Sequence, residues 1–189
     1  PDDAMNIMQN RWLKYQAISG RMWGRTAYYQ TGGAIGFRDQ LQDSQVWLAI
    51  DPDRTKNQLK LHARHQFADG SVYHWWHPVS EICLRNQISD NLLWLPFVMN
   101  AYLLETNDFA LLDERESFVD DKKAATMYDH CCRAIDFSLD RFSERGLPLI
   151  GGGDWNDGLS AVGLDMKGES IWLAHFIHRI LLDFAWIAR

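Results

Sequence analysis

The sequence has few of the features that mark several protein classes. Its 189 residues include only three cysteines, Cys83, Cys131 and Cys132. An odd count with two adjacent residues is not a disulfide framework, so we expect a reducing, cytoplasmic setting. No apolar run approaches the roughly 20 residues that span a bilayer. The N-terminal residues also lack the basic and apolar regions of a signal peptide.

Positive charge is also scarce. Lys and Arg number 19 against 25 Asp and Glu, which gives a formal net charge of -6. No basic block stands out, so nucleic acid is not an expected partner. Aromatic residues, in contrast, are abundant, with 9 Trp, 9 Phe and 6 Tyr. Tryptophan fills cores and also stacks on sugar rings, so this abundance is a mild indication of a carbohydrate ligand.

The apolar periodicity predicts an all-α chain built from antiparallel helix pairs. Asp51 is the predicted N-cap of the third helix, with Pro52 at its first position. Pro96 is expected to kink the fourth helix. No strand is expected beyond a short pairing in the loops. Because the sequence stops within an apolar helical pattern, we expect a segment of a longer protein. The six predicted helices cover residues 4–28, 39–50, 52–67, 89–105, 124–142 and 169 onward.

If successive helices alternate in direction, the first, third and fifth connections emerge at the same end of the bundle. These connections are "QTGGAIGFRD", "ADGSVYHWWHP" and "GGGDWNDG", and they hold most of the glycine, tryptophan and carboxylate residues found in loops. The second and fourth connections, "DPD" and residues 107–123, should lie at the other end. Since loops on a rigid scaffold often carry function, we expect a site where the three connections meet.

The "GGGDWNDG" loop contains two candidate catalytic carboxylates, Asp154 and Asp157. A neighbouring indole and a water-poor pocket would raise the pKa of a carboxyl group and keep it protonated as a general acid. The structural alternative is a connection whose aspartates cap local N–H groups. A calcium loop does not fit, because Leu159 takes the place of the required glycine and Asp165 that of the closing glutamate.

The "FRDQLQD" stretch places a cation and two carboxylates at the start of a helix. Arg38 offers a fork for phosphate or carboxylate, and Asp39 can accept hydrogen bonds from two sugar hydroxyls. Asp43 lies one turn beyond Asp39 and could orient Arg38. The alternative is an acidic first turn favoured by the helix dipole.

The "HWWHP" stretch offers Trp75 and Trp76 as stacking platforms for a sugar, with core packing of both as the alternative. A zinc site using its two histidines would need further ligands, and Cys83 is the near candidate, so no metal is expected. His62 and His65, one turn apart, are expected to lie at the surface or to be hydrogen-bonded. Cys131 and Cys132 are expected to be small apolar packing residues.

Taken together, the motifs resemble glycoside hydrolase family 94, the inverting β-glycoside phosphorylases. The resemblance runs in order along nearly the whole chain and rests on "YYQTGGAIGFRDQLQD", "HWWHP", "ISDNLLWLPF", "MYDHC", "GLPLIGGGDWNDGLSAVG" and "KGESIWL". It implies an (α/α)6 barrel catalytic domain, of which residues 1–189 would supply about half. It also implies a reaction in which phosphate and a β-glucoside give α-glucose 1-phosphate and a shortened acceptor.

The resemblance also assigns roles to individual residues. Asp157 becomes the general acid, and Trp155 lines the subsite of the sugar donated to phosphate. Asp39 grips hydroxyls of that sugar, and Arg38 lies near the phosphate. Asp154 is then expected to support the loop. Phosphate, as an anionic nucleophile, removes the need for a second catalytic carboxylate.

The family comparison leaves specificity open. Some cellobiose phosphorylases carry another arginine shortly before the Arg-Asp pair, and "TGGAIG" has none, so the sequence looks more like the cellobionic acid and β-1,2-glucan branches. Further phosphate ligands of the family have no counterpart here, so this segment alone should be inactive. We expect no cofactor besides phosphate and consider a homodimer possible. The alternatives are a barrel hydrolase that uses water and a non-catalytic sugar-binding α-domain.

Overall fold

The computed structural model describes residues 2–23 and 32–189 and is predominantly helical. Its first helical segment comprises α1 (Asp3–Ile7), a π-helical turn (Met8–Trp12), α2 (Leu13–Ala17) and a second π-helical turn (Ile18–Met22). The predicted helix over residues 4–28 is therefore confirmed as far as Met22. Its last residues, and the beginning of the first connection up to Thr31, lie outside the described residues.

Five further α-helices form the body of the protein, several of them preceded or followed by a 3-10 turn. They are α3 (Phe37–Ser44), α4 (Pro52–Ala63), α5 (Trp94–Thr106), α6 (Met127–Leu139) and α7 (Ile171–Ile187). The 3-10 turns are Gln45–Trp47, Asn91–Leu93, Phe109–Asp113 and Asp157–Leu159. Within the described parts of the chain, no helix is long and apolar enough to cross a membrane.

The helix boundaries follow the local capping chemistry. Asp51 precedes α4 and Pro52 opens it, as predicted. The fourth predicted helix begins later than expected, at Trp94, because residues 91–93 form a 3-10 turn. Pro96 therefore lies in the first turn of α5, where a backbone N–H has no intrahelical partner, and not in a helix interior. Thr126 caps α6 in a capping box with Asp129.

Short strands occur in the connections, and the sequence predicted only one such pairing. β1 (Ile35–Gly36), β2 (Tyr73–Trp76) and β3 (Cys83–Arg85) form an antiparallel sheet with β2 in the middle. β4 (Arg115–Glu116) and β5 (Ala125–Thr126) form a second pair. Strands of two to four residues are too short for a period of two to be recognised in the sequence.

The core lies around α5, which packs against α3, α4, α6 and α7. This helix is apolar on most of its faces, as its central position requires. Cys131 of α6 is fully buried in the same core, which confirms its predicted packing role, and this burial raises the pKa of its thiol. Cys132 is only partly buried.

The predicted convergence of the three glycine- and tryptophan-rich connections is confirmed in the described residues. β1 pairs with β2, and Ile88 bridges to both Gly151 and Gly153. The connection after α5 departs from the prediction. It begins near the start of α4, where Asp108 binds Lys56, but then runs along that helix. Asp120 reaches the third connection by accepting a hydrogen bond from the Ala68 N–H.

Candidate active site

Arg38, the second residue of α3, is the centre of the candidate active site. Its side chain is only 6% exposed. Nη1 donates to the two carboxylate oxygens of Asp90 at 3.2 and 3.3 Å and to the main-chain oxygen of Asp154 at 3.1 Å. Nη2 donates to both carboxylate oxygens of Asp157 at 2.8 and 3.0 Å. One guanidinium therefore joins α3, the segment before α5 and the "GGGDWNDG" loop.

Asp90 is the inner partner of this guanidinium, and it was not among the residues predicted for the site. Asp90 is fully buried, and its carboxylate also accepts a hydrogen bond from Trp94 Nε1 at 3.1 Å. Burial raises the pKa of Asp90, and the attraction of Arg38 opposes this effect. Burial alone would lower the pKa of Arg38, but the nearby carboxylates of Asp90 and Asp157 outweigh it and the pKa is raised. The guanidinium therefore stays charged.

The two carboxylates of the "GGGDWNDG" loop have different environments. Asp154 is buried, and its oxygens accept hydrogen bonds from the Asn156 N–H at 2.8 Å and from Ser170 Oγ at 2.5 Å. Both side-chain oxygens of Asp154 are thus bound within the chain, as expected of a residue that supports the loop. Asp157 begins a 3-10 turn, and its side chain is 66% exposed. The described residues thus leave Asp157 open to a ligand instead of enclosing it in a water-poor pocket.

The glycines let this loop pass close to the segment before α5. Gly151 has a φ of 60°, and a Cβ atom there would overlap the carbonyl oxygen of Gln87. The same carbonyl accepts a hydrogen bond from the Gly152 N–H at 2.9 Å. Ser89 donates to the Gly153 carbonyl from both its backbone N–H and its hydroxyl, at 2.9 and 3.0 Å. The backbone that precedes Asp157 is therefore fixed on a second element.

Asp39 and Asp43 share a face of α3 as predicted, but Asp43 does not contact Arg38. Its carboxylate accepts a hydrogen bond from Arg21 Nε at 2.6 Å, and Arg21 also lies 3.8 Å from Asp39. The prediction that Asp43 orients Arg38 is therefore wrong. Asp90 has that position instead, and Arg21 is a further residue of the cluster that the sequence analysis missed.

Trp155 lies at the exposed tip of the loop, with half of its surface open to solvent. Its Nε1 donates to Gln42 Oε1 of α3 at 3.4 Å, a long hydrogen bond that links the indole to the same helix as Arg38. Beside it, an open groove of about 540 Å³ is lined by Trp155, Leu159, Ser170 and Trp172, among others. An exposed indole at the edge of a groove can stack on a sugar ring.

Trp75 and Trp76 point in opposite directions because successive residues of a strand face opposite sides. Trp76 is 1% exposed and stacks on His65, with ring centroids 3.9 Å apart. Its predicted role as a sugar platform is corrected to core packing, since no ligand can reach its faces. Trp75 is half-buried and contacts His77 edge to face, with ring centroids 5.4 Å apart.

The histidines serve packing and hydrogen bonding. His62 is fully buried between Phe37 and Trp76, and its Nδ1 lies 2.7 Å from the Gln58 carbonyl oxygen, so the hydrogen-bonded one of its two predicted placements is the one observed. Burial lowers the pKa of His62 to about 3. His74 Nδ1 lies 3.0 Å from Asn91 Nδ2. Across residues 2–23 and 32–189, no three His, Cys, Asp or Glu residues are grouped so as to hold a metal ion.

This arrangement can hold one carboxyl group at an exposed position beside a fixed cation. Asp157 can exchange a proton with a bound ligand, and Nη2 of Arg38 can bind an anion. The buried partners Asp90 and Asp154 keep the guanidinium in place during such an exchange. The site thus combines an exposed carboxyl group, a guanidinium fork and an exposed indole.

Comparison with known proteins links this arrangement to carbohydrate-active enzymes. The family model described as "Glycosyl hydrolase 94 superfamily, catalytic domain" matches residues 1–189. The cyclic beta-(1,2)-glucan synthase NdvB of Rhizobium meliloti (strain 1021) is 38% identical over 206 residues, which cover 100% of this chain and 7% of that protein.

Two phosphorylases are also similar. The solabiose phosphorylase of Paenibacillus borealis is 34% identical, with 98% of this chain and 23% of that protein covered. The cellobionic acid phosphorylase of Neurospora crassa is 33% identical, with 92% of this chain and 22% of that protein covered. The chain therefore spans less than a quarter of the length of these relatives.

Proposed function

The chain belongs to the glycosyl hydrolase 94 superfamily, and from that membership we propose that the protein to which it contributes cleaves a β-glucoside with inorganic phosphate. The products are α-glucose 1-phosphate, formed with inversion, and the shortened acceptor. Relatives named solabiose phosphorylase and cellobionic acid phosphorylase support this reaction type. We further propose that residues 1–189 form about half of a single (α/α)6 barrel domain, with α3, α5 and α7 beginning at its active-site end.

The observation that carries the proposal is the unequal burial of the loop carboxylates. Asp157 is exposed and held by Arg38, whereas both side-chain oxygens of Asp154 are engaged by Asn156 and Ser170. In the proposed step, Asp157 gives its proton to the glycosidic oxygen while the bond from that oxygen to the anomeric carbon breaks. A phosphate oxygen forms the new bond to this carbon from the opposite face. Because phosphate is itself the nucleophile, the loop needs to supply only one acid.

The neighbouring residues support binding of both substrates. Asp39 is a candidate ligand for sugar hydroxyls, and Trp155 and Trp75 are candidate stacking platforms for the donated sugar. Arg38 is the candidate phosphate ligand, because its Nη2 already holds a carboxylate in a forked hydrogen bond. If the protein were instead a hydrolase, it would require a second carboxylate that activates water. Asp154 does not suit that role, because both of its side-chain oxygens accept hydrogen bonds within the chain.

The test uses the full-length protein with phosphate and a panel of β-glucosides. We expect phosphate-dependent release of glucose 1-phosphate from at least one of them, and no release from any would contradict the proposal. Asp157→Asn should reduce kcat by at least about a hundredfold, since general acid catalysis contributes that much or more. If Asp154→Asn abolishes turnover in a folded protein while Asp157→Asn does not, the assignment of the acid is wrong.

A second candidate is a β-1,2-linked glucan as the substrate. It is favoured by the match of the whole chain to a cyclic beta-(1,2)-glucan synthase. The same panel should therefore contain β-1,2-glucan, cellobionic acid and solabiose, each assayed with and without phosphate. Phosphate-dependent cleavage of β-1,2-glucan alone would select this candidate, and cleavage of only the other substrates would eliminate it.

A further inference from the structure

The guanidinium of Arg38 has an inner and an outer end with different partners. Nη1 is held inside the protein by Asp90 and the Asp154 carbonyl, while Nη2 reaches the exposed carboxylate of Asp157. Because the side chain is nearly buried and its inner end is fully engaged, Arg38 cannot turn toward solvent. Asp157 is therefore the movable partner in this pair.

Asp90, the inner partner, neutralises part of the positive charge of Arg38, which would otherwise act on Asp157 in full. Its carboxylate is fully buried, and the described residues that hydrogen-bond to it are Arg38 and Trp94. A buried carboxylate without a cation would be costly, and so would a buried guanidinium without a carboxylate. The two side chains form an inner ion pair, and Asp157 binds to the outside of that pair.

This geometry matters for a general acid, which must carry a proton before it can donate one. A cation beside a carboxylate favours the deprotonated form, whereas a second anion nearby opposes that effect. Asp90 and Asp157 bind the same guanidinium, so the negative charge of Asp90 weakens the effect of the Arg38 cation on Asp157. We propose that Asp90 is a positioning residue which, through Arg38, sets the pH range in which Asp157 acts as the acid; this proposal rests on the proposed function.

Other charged groups face the same cluster and must be kept constant in a test. Asp39 lies on α3 next to Arg38 and is approached by Arg21 to 3.8 Å. Asp154 belongs to the same loop as Asp157. His74 of β2 contacts Asn91, the residue that follows Asp90, with 3.0 Å between His74 Nδ1 and Asn91 Nδ2. A substitution confined to Asp90 leaves all of these groups in place.

The experiment compares the pH dependence of kcat/KM for phosphorolysis in the full-length wild-type protein and Asp90→Asn at saturating phosphate. Asparagine has nearly the same shape and can still accept a hydrogen bond from Trp94. We expect the high-pH limb of the curve to move to lower pH by about one unit, because a single nearby charge shifts a carboxyl pKa by that order. Phosphate ionises identically in both assays, so the difference reports the protein.

Two further variants provide the controls. Asp183→Asn removes another buried carboxylate, one that pairs with Arg179 near the end of α7, and should leave the curve unchanged. Asp90→Glu restores the charge and should return the limb toward its wild-type position. If Asp90→Asn does not fold, Asp90→Ser removes the same charge with a smaller buried polar group and should also move the limb to lower pH.

The outcomes separate the two proposals. An active wild-type protein whose curve coincides with that of folded Asp90→Asn overturns the role of Asp90 and leaves the proposed function standing. The same limb shift in Asp183→Asn would show a general effect of lost charge and would also overturn it. Absence of phosphate-dependent turnover in the wild-type protein at every pH would overturn the proposed function first, and the role of Asp90 with it.

Discussion

At the scale of single residues, His62 makes the stability of the fold depend on pH. It is fully buried between Phe37 and Trp76, and its pKa is lowered to about 3 from an ordinary value of 6.5. The unfolded chain therefore binds an extra proton between these values, so stability is fully present above about pH 6.5 and is lost as the pH falls toward 3.

We expect His62 to lower the free energy of unfolding by about 2 kcal/mol between pH 6.5 and 5, since each pH unit contributes about 1.36 kcal/mol. Hydrogen exchange of α4 amides in the full-length protein measures it, and His62→Gln should flatten the dependence. His178→Gln, at an exposed position of α7, is the matched control. An unchanged slope in His62→Gln would contradict the assignment.

Residue-scale prediction of the two loop aspartates depended on the family resemblance, because local chemistry left both as candidates for the acid. The hydrogen bonds that Asp154 accepts from Asn156 and Ser170 fit the supporting role expected for it. The partner of Arg38 was not predictable in the same way, because Asp90 is 52 residues away. Asp43 lies nearer in sequence, but Arg21 binds it. Only the packing of α3 against the segment before α5 decides which carboxylate meets the guanidinium.

At the scale of elements, the "GGGDWNDG" loop depends on its attachment to the segment before α5. Gly151→Ala would place a methyl group on the Gln87 carbonyl oxygen at a φ of 60°. Gly146→Ala is the matched control, since its φ is 75° and no atom lies within 4 Å of the added carbon.

Both substitutions should cost roughly 1–2 kcal/mol of stability through backbone strain. Gly151→Ala should in addition lower kcat/KM by about tenfold or more, because a small displacement of a catalytic group is expensive. Urea unfolding and phosphorolysis assays measure the two effects. Equal activities in the two variants would show that the contact with Gln87 does not position Asp157.

Long helices with clear capping residues were predicted best from the sequence. Asp51 and Pro52 mark the start of α4, and the sequence analysis identified it. The fourth helix was misplaced because the 3-10 turn Asn91–Leu93 carries the same apolar pattern as the helix that follows it. The sheet formed by β1, β2 and β3 leaves no periodic signal, yet it decides that Trp76 faces the core and Trp75 does not.

At the scale of the whole molecule, α7 presents apolar side chains that the helices among residues 2–23 and 32–189 leave uncovered. One side of α7 packs in the core through residues such as Ile177 and Ile180. The other side exposes large apolar residues, with Ile171 at 57%, Trp172 at 40%, Leu182 at 57% and Trp186 at 37%. Exposed large apolar side chains in this number are typical of a surface that another element covers. The relatives are more than four times longer than the segment matched here.

We therefore expect the 189-residue chain, expressed by itself, to bind a hydrophobic dye and to self-associate, because water is a poor solvent for this face. Light scattering after size-exclusion chromatography measures the association. Ile171→Lys with Leu182→Lys should reduce both signals, whereas Leu104→Lys, at an exposed position of α5, should not. A monodisperse monomer without dye binding would show that α7 needs no covering element. Association that the two lysine substitutions remove would identify this side of α7 as the surface that must be covered.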